Sequence, residues 1–129
     1  MGQIKIFGLD STIEKHRAEI SDIIHSCVVN EFKFPADKRF HRFFPMSRDN
    51  FILPDSKSKN YIIIEISIFE GRTVETKKNL IKSLFREFKE KLGFEYGDIE
   101  ITIFETPKCN WGFRGSTGDE AELNYKVEV

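Results

Sequence analysis

The sequence lacks the features that mark membrane, secreted or nucleic-acid-binding proteins. It has only two cysteines in 129 residues, without CxxC spacing, which gives no disulfide framework and favours a reducing compartment. Its apolar runs fall short of the roughly 18 to 20 residues that cross a bilayer. The 20 Lys and Arg balance 21 Asp and Glu, so no field of one sign attracts nucleic acid or an anionic membrane. Together with the absence of a signal-peptide pattern, this predicts a cytoplasmic protein without nucleic-acid or membrane partners.

Metal-binding patterns are also missing. The candidate ligands have no metal-site spacing: His16, His25, Cys27 and Cys109. We therefore predict no metal site. The stretch KFPADKRFHRFF at 33–44 does interleave basic and aromatic residues, as single-strand nucleic-acid binders do. Because the net charge is −1 and no recognised binding module is present, we do not favour that interpretation.

What the sequence does contain is material for a core. Hydrophobic residues make up 40% of the chain and thirteen residues are Phe, which is too rich in large apolar side chains for disorder. A chain of this length is typical of one domain that buries a sizeable core without disulfide help.

The first half changes from a two-residue to a helical period. Residues 4–8 alternate between apolar and other side chains, which predicts a short strand. Ser11-Thr-Ile-Glu14 matches a capping box and predicts a helix from about residue 12 to 32. Pro35 ends that unit, and alternation in 39–46 predicts the returning strand.

The second half shows the same order of elements. YIIIEISIF at 61–69 predicts a central strand, and the helical stripe that follows is expected to stop at Gly93. Alternating isoleucines predict a strand over 99–104. Two further short strands are expected, one around 51–53 and one in NYKVEV at 124–129.

The two halves therefore look like a duplication. A shift of 61 residues aligns 4–7 with 65–68 and superimposes the predicted strand and helix boundaries. The chain then reads as one domain with units at about 1–46 and 60–106 and a C-terminal loop and strand at 107–129. Right-handed crossovers predict an α+β fold in which tandem β-α-β units form a four-stranded mixed sheet, with two helices on one face and short extra strands.

One face of that sheet is left without a helix. It is expected to carry Phe7, Phe40 or Phe43, and Phe104. An apolar sheet face needs cover, and neighbouring subunits are the expected source.

The duplicated unit, the turn EGRTVETKK at 70–78 and the loop CNWGFRG at 109–115 resemble the tautomerase superfamily. That superfamily includes 4-oxalocrotonate tautomerase, macrophage migration inhibitory factor and malonate semialdehyde decarboxylase. The likeness covers essentially the whole chain and is greatest to the fused-unit decarboxylase branch.

The resemblance implies a homotrimer that acts on a small carboxylate ligand without a cofactor. In the family an amino-terminal proline is the base or imine nucleophile, and Gly2 stands at its place. The primary amine of Gly2 has an ordinary pKa of about 8, suited to base or nucleophile chemistry. Arg72 matches the family arginine that binds the substrate carboxylate, and Trp111, Phe113 and Arg114 match the pocket wall.

The strand at 39–46 carries further candidates. Alternation allows Arg39 and His41 to act together in anion binding, whereas Arg42 faces the other way. A solvated sheet edge or interface ion pairs explain these residues equally well. The position that holds an aspartate in the decarboxylase relatives falls at Lys38, one residue after Asp37, and strand alternation is expected to point the two apart.

Two functions remain open from the sequence. One is a cofactor-independent tautomerase or decarboxylase on a small oxo acid, with the Gly2 amine moving the proton. The other is a non-catalytic trimer that keeps the anion pocket for ligand sensing or partner binding. A scaffold whose trimer surface is the function is a third, purely structural interpretation.

Overall fold

The predicted α+β arrangement is confirmed by the computed structural model, which describes residues 2–129; the fate of Met1 lies outside the described residues. The elements are β1 (Gly2–Leu9), α1 (Asp10–Phe32), β2 (His41–Met46), β3 (Ile62–Phe69), α2 (Val74–Leu92), β4 (Ile99–Thr106), β5 (Gly112–Phe113) and β6 (Ser116–Thr117). The main sheet has the order β2-β1-β3-β4. β1 is parallel to β2 and β3 is parallel to β4, whereas β1 and β3 run antiparallel.

The core lies between the sheet and both helices. Alternate residues of β1 and β3 point into it, so Ile4 and Ile6 lie beside Ile66 and Ile64 across the antiparallel pair. Each helix adds one apolar stripe, which includes Ile13, Ile20, Ile24, Val28 and Phe32 from α1 and Leu80, Leu84 and Phe88 from α2. Branched side chains suit the strand positions, since they pack well on a pleated surface.

The repeat offset is 60 residues, so the predicted shift of 61 is wrong by one. β1 and β3 have the same alternation of buried and half-buried residues, and the register pairs Ile4 with His41 and Ile64 with Ile101. Because strand side chains alternate, a slip of one residue aligns inward positions of one strand with outward positions of the other. The sequence alignment of the two halves was one residue out because both faces of these strands carry apolar residues, so the apolar pattern fits either register.

The two helix starts differ from each other. The predicted capping box is wrong, because α1 begins at Asp10 and its N-cap, Leu9, makes no side-chain cap hydrogen bond. β1 runs directly into the helix, which places Ser11 inside the first turn. In α2 the Thr73 side chain accepts a hydrogen bond from the Thr76 amide (3.1 Å), and the predicted stop at Gly93 is confirmed by its left-handed φ of 69°.

Two of the predicted short strands do not form in residues 2–129. Phe51 follows a 3₁₀ turn and is buried against Leu9 and Tyr61, so packing rather than sheet pairing holds that segment. The C-terminal segment is irregular; Val127 is buried against Gly71, and the Val129 carbonyl accepts a hydrogen bond from the Thr73 amide (3.0 Å).

The open face of the sheet carries aromatic side chains. Phe40 and Phe104 are 45% and 47% exposed, and the rings of Phe7 and Phe44 stack 4.7 Å apart. Of the two alternatives, Phe40 or Phe43, it is Phe40 that is exposed, because Phe43 pairs with the inward-facing Ile6 and packs on the core. Cover of this face by neighbouring subunits stays a prediction. None of the helices in residues 2–129 is long and apolar enough to span a membrane.

The amino ends of β1 and β3 are surrounded differently. At β3, the linker between the units is tied down: Thr12 donates to the Lys59 carbonyl (2.6 Å), and Asp98 accepts hydrogen bonds from the Ser58 amide (2.9 Å) and hydroxyl (2.6 Å). The 60-residue shift places Arg72 at the position of Thr12 and Lys38 at that of Asp98 in the other half. The corresponding region at β1 is therefore cationic.

We predict that Asp98→Ala lowers the free energy of unfolding by about 1–3 kcal/mol, since it leaves the Ser58 amide and hydroxyl without their acceptor. Urea denaturation followed by circular dichroism measures the loss. Asp37→Ala is the matched control because Asp37 is exposed. Equal stability of the two variants would contradict the role of Asp98 in holding the linker through Ser58.

Candidate functional site

A cavity of about 400 Å³ lies beside the amino end of β1. We call it the amino-end cavity. One wall comes from the connection between α1 and β2, and the other from the β5–β6 turn and the C-terminal segment. Its lining residues are Phe34, Pro35, Lys38, Phe40, Phe113, Arg114, Glu122, Leu123, Asn124 and Tyr125. The volume is typical of small-molecule sites.

Gly2 is in direct contact with the wall of this cavity. A Cβ atom on Gly2 would overlap Cζ and Cε2 of the Phe34 ring. The ring has little freedom to move, because it is buried edge to face against Phe32 (6.3 Å between centroids) and Tyr125 (5.5 Å). Phe34 thus fills the space that a side chain at position 2 would need, and glycine is a packing requirement there.

Arg72 lies behind the cavity wall rather than in it. It is 5% exposed, and its Cζ is 4.8 Å and 5.3 Å from the ring centroids of Phe32 and Phe34. Nη1 donates to the Phe69 carbonyl (3.3 Å), while Nε and Nη2 make no hydrogen bond of good geometry with residues 2–129. Arg72, the residue predicted to bind the substrate carboxylate, is therefore shielded from the cavity by aromatic rings.

Electrostatics link Arg72 to Tyr125. Burial lowers the pKa of Arg72, and the nearby Tyr125, Glu105 and Glu128 oppose that shift. Burial raises the pKa of Tyr125, while Arg72 and Arg114 pull it back down. Their side-chain interaction raises the pKa of Arg72 and lowers the pKa of Tyr125.

The predicted loop residues divide between the wall and its support. Phe113 and Arg114 line the cavity, and Arg114 donates to the Glu122 carbonyl (2.9 Å) from a left-handed backbone position (φ 53°). Trp111 lies outside the lining and packs on Phe69, with 5.2 Å between ring centroids. Trp111 therefore packs against β3 and is not part of the cavity lining.

Arg39 and His41 lie together, as alternation predicts, but against α1 and away from the amino-end cavity. Arg39 makes an ion pair with Asp22 (2.7 Å), and Nδ1 of His41 shares a hydrogen bond with the Ser21 hydroxyl (2.8 Å). Burial, Arg39 and His25 lower the pKa of His41 to about 4. Within one chain these residues form a separate cluster. Arg42, on the opposite face, donates to Gln3 (3.0 Å).

Contrary to expectation, strand alternation does not set the directions of Asp37 and Lys38, because both precede β2. They lie in a turn in which the Lys38 amide donates to the Pro35 carbonyl (3.1 Å). Lys38 lines the cavity, whereas Asp37 is exposed outside the lining. The cavity wall thus carries two cations, Lys38 and Arg114, and one carboxylate, Glu122.

Eight of the ten lining residues were not selected from the sequence as site residues, among them Phe34, Tyr125 and Lys38. Phe34 had one usable signal, the glycine at position 2, which implies close approach by another group. Tyr125 lies in the segment predicted as the terminal strand, and no pattern there marked it as a site residue. For metals, no three His, Cys, Asp or Glu side chains converge on one point within residues 2–129.

Comparison with known proteins gives one consistent result. A family model described as tautomerase enzyme matches residues 38–114. A 2-hydroxymuconate tautomerase of Comamonas testosteroni is 34% identical over 56 residues, which cover 43% of this chain and 89% of that protein. The probable tautomerase YusQ of Bacillus subtilis (strain 168) is 27% identical over 100 residues, 74% of this chain and 79% of that protein.

Solved structures show the same fold. The malonate semialdehyde decarboxylase structures superimpose with a TM-score of 0.77 at 19% identity, over 88% of this chain and 92% of that one. Native fused 4-OT gives a TM-score of 0.80 at 18% identity, over 91% and 96%. Some of the similar fused 4-OT structures are trimers.

We predict that Gly2→Ala lowers the free energy of unfolding by about 1–3 kcal/mol, because the methyl group must displace the buried Phe34 ring. Gly97→Ala is the control, since a Cβ there meets only the Lys57 Nζ atom at 3.9 Å. Phe34→Leu replaces the ring by a smaller side chain. In a double-mutant cycle measured by urea denaturation, it should reduce the loss of unfolding free energy that Gly2→Ala causes. Additive effects would contradict the contact.

A second prediction concerns His41, whose pKa falls from 6.5 to about 4 on folding. Between these values the unfolded chain binds the extra proton, so stability is complete above about pH 6.5 and is lost as the pH falls towards 4. His41→Asn should flatten that part of the stability profile, whereas His16→Asn should keep it. Thermal melting between pH 4 and 8 measures the difference; parallel profiles for wild type and His41→Asn would refute it.

Proposed function

The chain belongs to the tautomerase enzyme family, and from that premise we propose that it binds a small oxo acid in the amino-end cavity and interconverts its keto and enol forms. The observation that carries the proposal is the grouping of three cationic side chains at one cavity. Lys38 and Arg114 lie in its wall, and Arg72 is buried directly behind it.

This arrangement favours both the ligand and the reaction. A carboxylate entering the cavity meets Lys38 and Arg114 at the wall, and a low-dielectric surrounding strengthens their attraction. The guanidinium of Arg72 adds positive potential without direct contact. Fixed positive charge stabilises the negative oxygen that develops when a proton leaves the carbon next to a carbonyl, which lowers the barrier to enolisation.

The proton-transfer group in this proposal is the Gly2 amine, once Met1 has been removed. A primary amine with a pKa of about 8 takes the proton from carbon and returns it to oxygen, or the reverse. The register of β1 with β3 pairs Gly2 with Ile68, so the amino end of β1 lies beside the segment that carries Arg72. Decarboxylation of a 3-oxo acid passes through the same kind of enolate, because the electron pair of the broken carbon–carboxylate bond moves onto the carbonyl oxygen.

Binding without turnover is the second candidate, and the Phe34 contact favours it. The Phe34 ring occupies the side-chain space at position 2, where glycine stands in place of proline. Because glycine lacks the ring constraint of an amino-terminal proline, its amine is less strictly oriented. In that case the same three cations serve ligand sensing in an assembly of subunits.

Intact-mass measurement of the native protein comes first, since retained Met1 rules out the Gly2 amine as the base. We then expect wild type to accelerate ketonisation of phenylenolpyruvate or 2-hydroxymuconate, and Arg72→Ala to lose about 10²-fold or more in kcat. Arg86→Ala, an exposed arginine on α2, is the matched control.

Thermal shift separates the two candidates. An oxo acid that stabilises wild type, but not a Lys38→Ala, Arg114→Ala double variant, shows a ligand-binding cavity. Stabilisation without turnover favours the binding protein. If the oxo acid neither stabilises the protein nor is turned over, both candidate functions are contradicted.

A further inference from the structure

Tyr125 lines the amino-end cavity and is close to the buried Arg72. Its ring lies edge to face with Phe34 at 5.5 Å, and its hydroxyl interacts with the Arg72 guanidinium. Phe34 is the residue whose ring contacts Gly2. The Phe34 ring thus contacts both Tyr125 and Gly2, the first residue of β1.

The contact between Arg72 and Tyr125 has only one possible polarity. A guanidinium has donors and no acceptor, so the phenol can face it only with its oxygen lone pairs. The positive charge of Arg72 polarises the phenol further, as does Arg114 on the cavity wall. A phenol polarised in this way is a stronger hydrogen-bond donor than one beside apolar groups alone.

The position of Tyr125 complements that of the two exposed cations. Lys38 and Arg114 suit a carboxylate, which accepts from charged nitrogen donors. The remaining polar atom of an oxo acid is its carbonyl oxygen, which needs a donor at a different point. Tyr125 is a neutral donor in the same lining, next to the Phe34 ring that faces Gly2.

We propose that the Tyr125 hydroxyl donates a hydrogen bond to the oxygen of the bound acid that becomes the enolate oxygen. The inference rests on the proposed function for its reaction. The base takes the proton from carbon, the C–H electron pair forms the new C=C bond, and the carbonyl π pair moves to oxygen. Tyr125 keeps its proton throughout, so no co-reactant is required.

The test compares Tyr125→Phe with Tyr96→Phe, whose ring packs on Phe85 of α2 and is 59% exposed. With phenylenolpyruvate we expect Tyr125→Phe to lower kcat about 10²-fold or more with little change in KM, and Tyr96→Phe to behave as wild type. Wild-type kcat in Tyr125→Phe overturns the proposal. A thermal melt of each variant verifies that the cavity is folded.

A binding measurement decides the role of Tyr125 even if the protein does not turn over. Oxalate presents a second oxygen beside its carboxylate, as an enolate does, whereas propionate does not. Calorimetric titration should show tighter binding of oxalate by wild type, and a loss of at least tenfold in that preference in Tyr125→Phe. An unchanged preference overturns the assignment. Absence of turnover with a Tyr125-dependent preference contradicts the tautomerase reaction but supports Tyr125 as the oxygen-binding group.

Discussion

The antiparallel pairing of β1 with β3 determines where everything else in this molecule lies. Each β-α-β unit alone would leave one strand edge unpaired and one helix without a partner. Pairing of Ile4 with Ile66 and of Ile6 with Ile64 joins both units into one sheet and aligns their inward faces on a common core. The same pairing brings the start of one unit beside the end of the other unit's strand, which is where the candidate site is found.

The duplicated framework is symmetric but its ends are not. The two halves repeat at 60 residues through strands, helices and 3₁₀ turns, yet the surroundings of β1 and β3 differ in chemistry. At β3 the linker is held by hydrogen bonds that Thr12 donates and Asp98 accepts. At β1 the corresponding positions are Arg72 and Lys38, and the covering segment is the C-terminal one. Arg72 and Lys38 thus place two cations at the amino end of β1, where the equivalent positions at β3 hold a threonine and an aspartate.

Gly2 changes its meaning between sequence and structure. In the sequence it is a departure from the family's amino-terminal proline. In the structure it is the partner of Phe34, whose ring occupies the side-chain space of position 2 and in turn touches Tyr125 and Arg72. Gly2, Arg72 and Tyr125 therefore belong to one cluster packed around Phe34, and we expect a change in any of them to affect the others.

Periodicity alone predicted the two helices, the four main strands and their grouping into repeated units, because alternation and helical spacing are local properties of the chain. It placed the repeat one residue out and assigned strands to segments that packing holds in other conformations. Among the residues that line the cavity, Phe113 and Arg114 were selected through the resemblance, whereas the positions of Phe34 and Tyr125 depend on contacts between segments distant in sequence. Whether Arg72 touches a ligand or lies behind aromatic rings is likewise a matter of packing, and only the tertiary structure decides it, since no local pattern encodes which ring covers a charge.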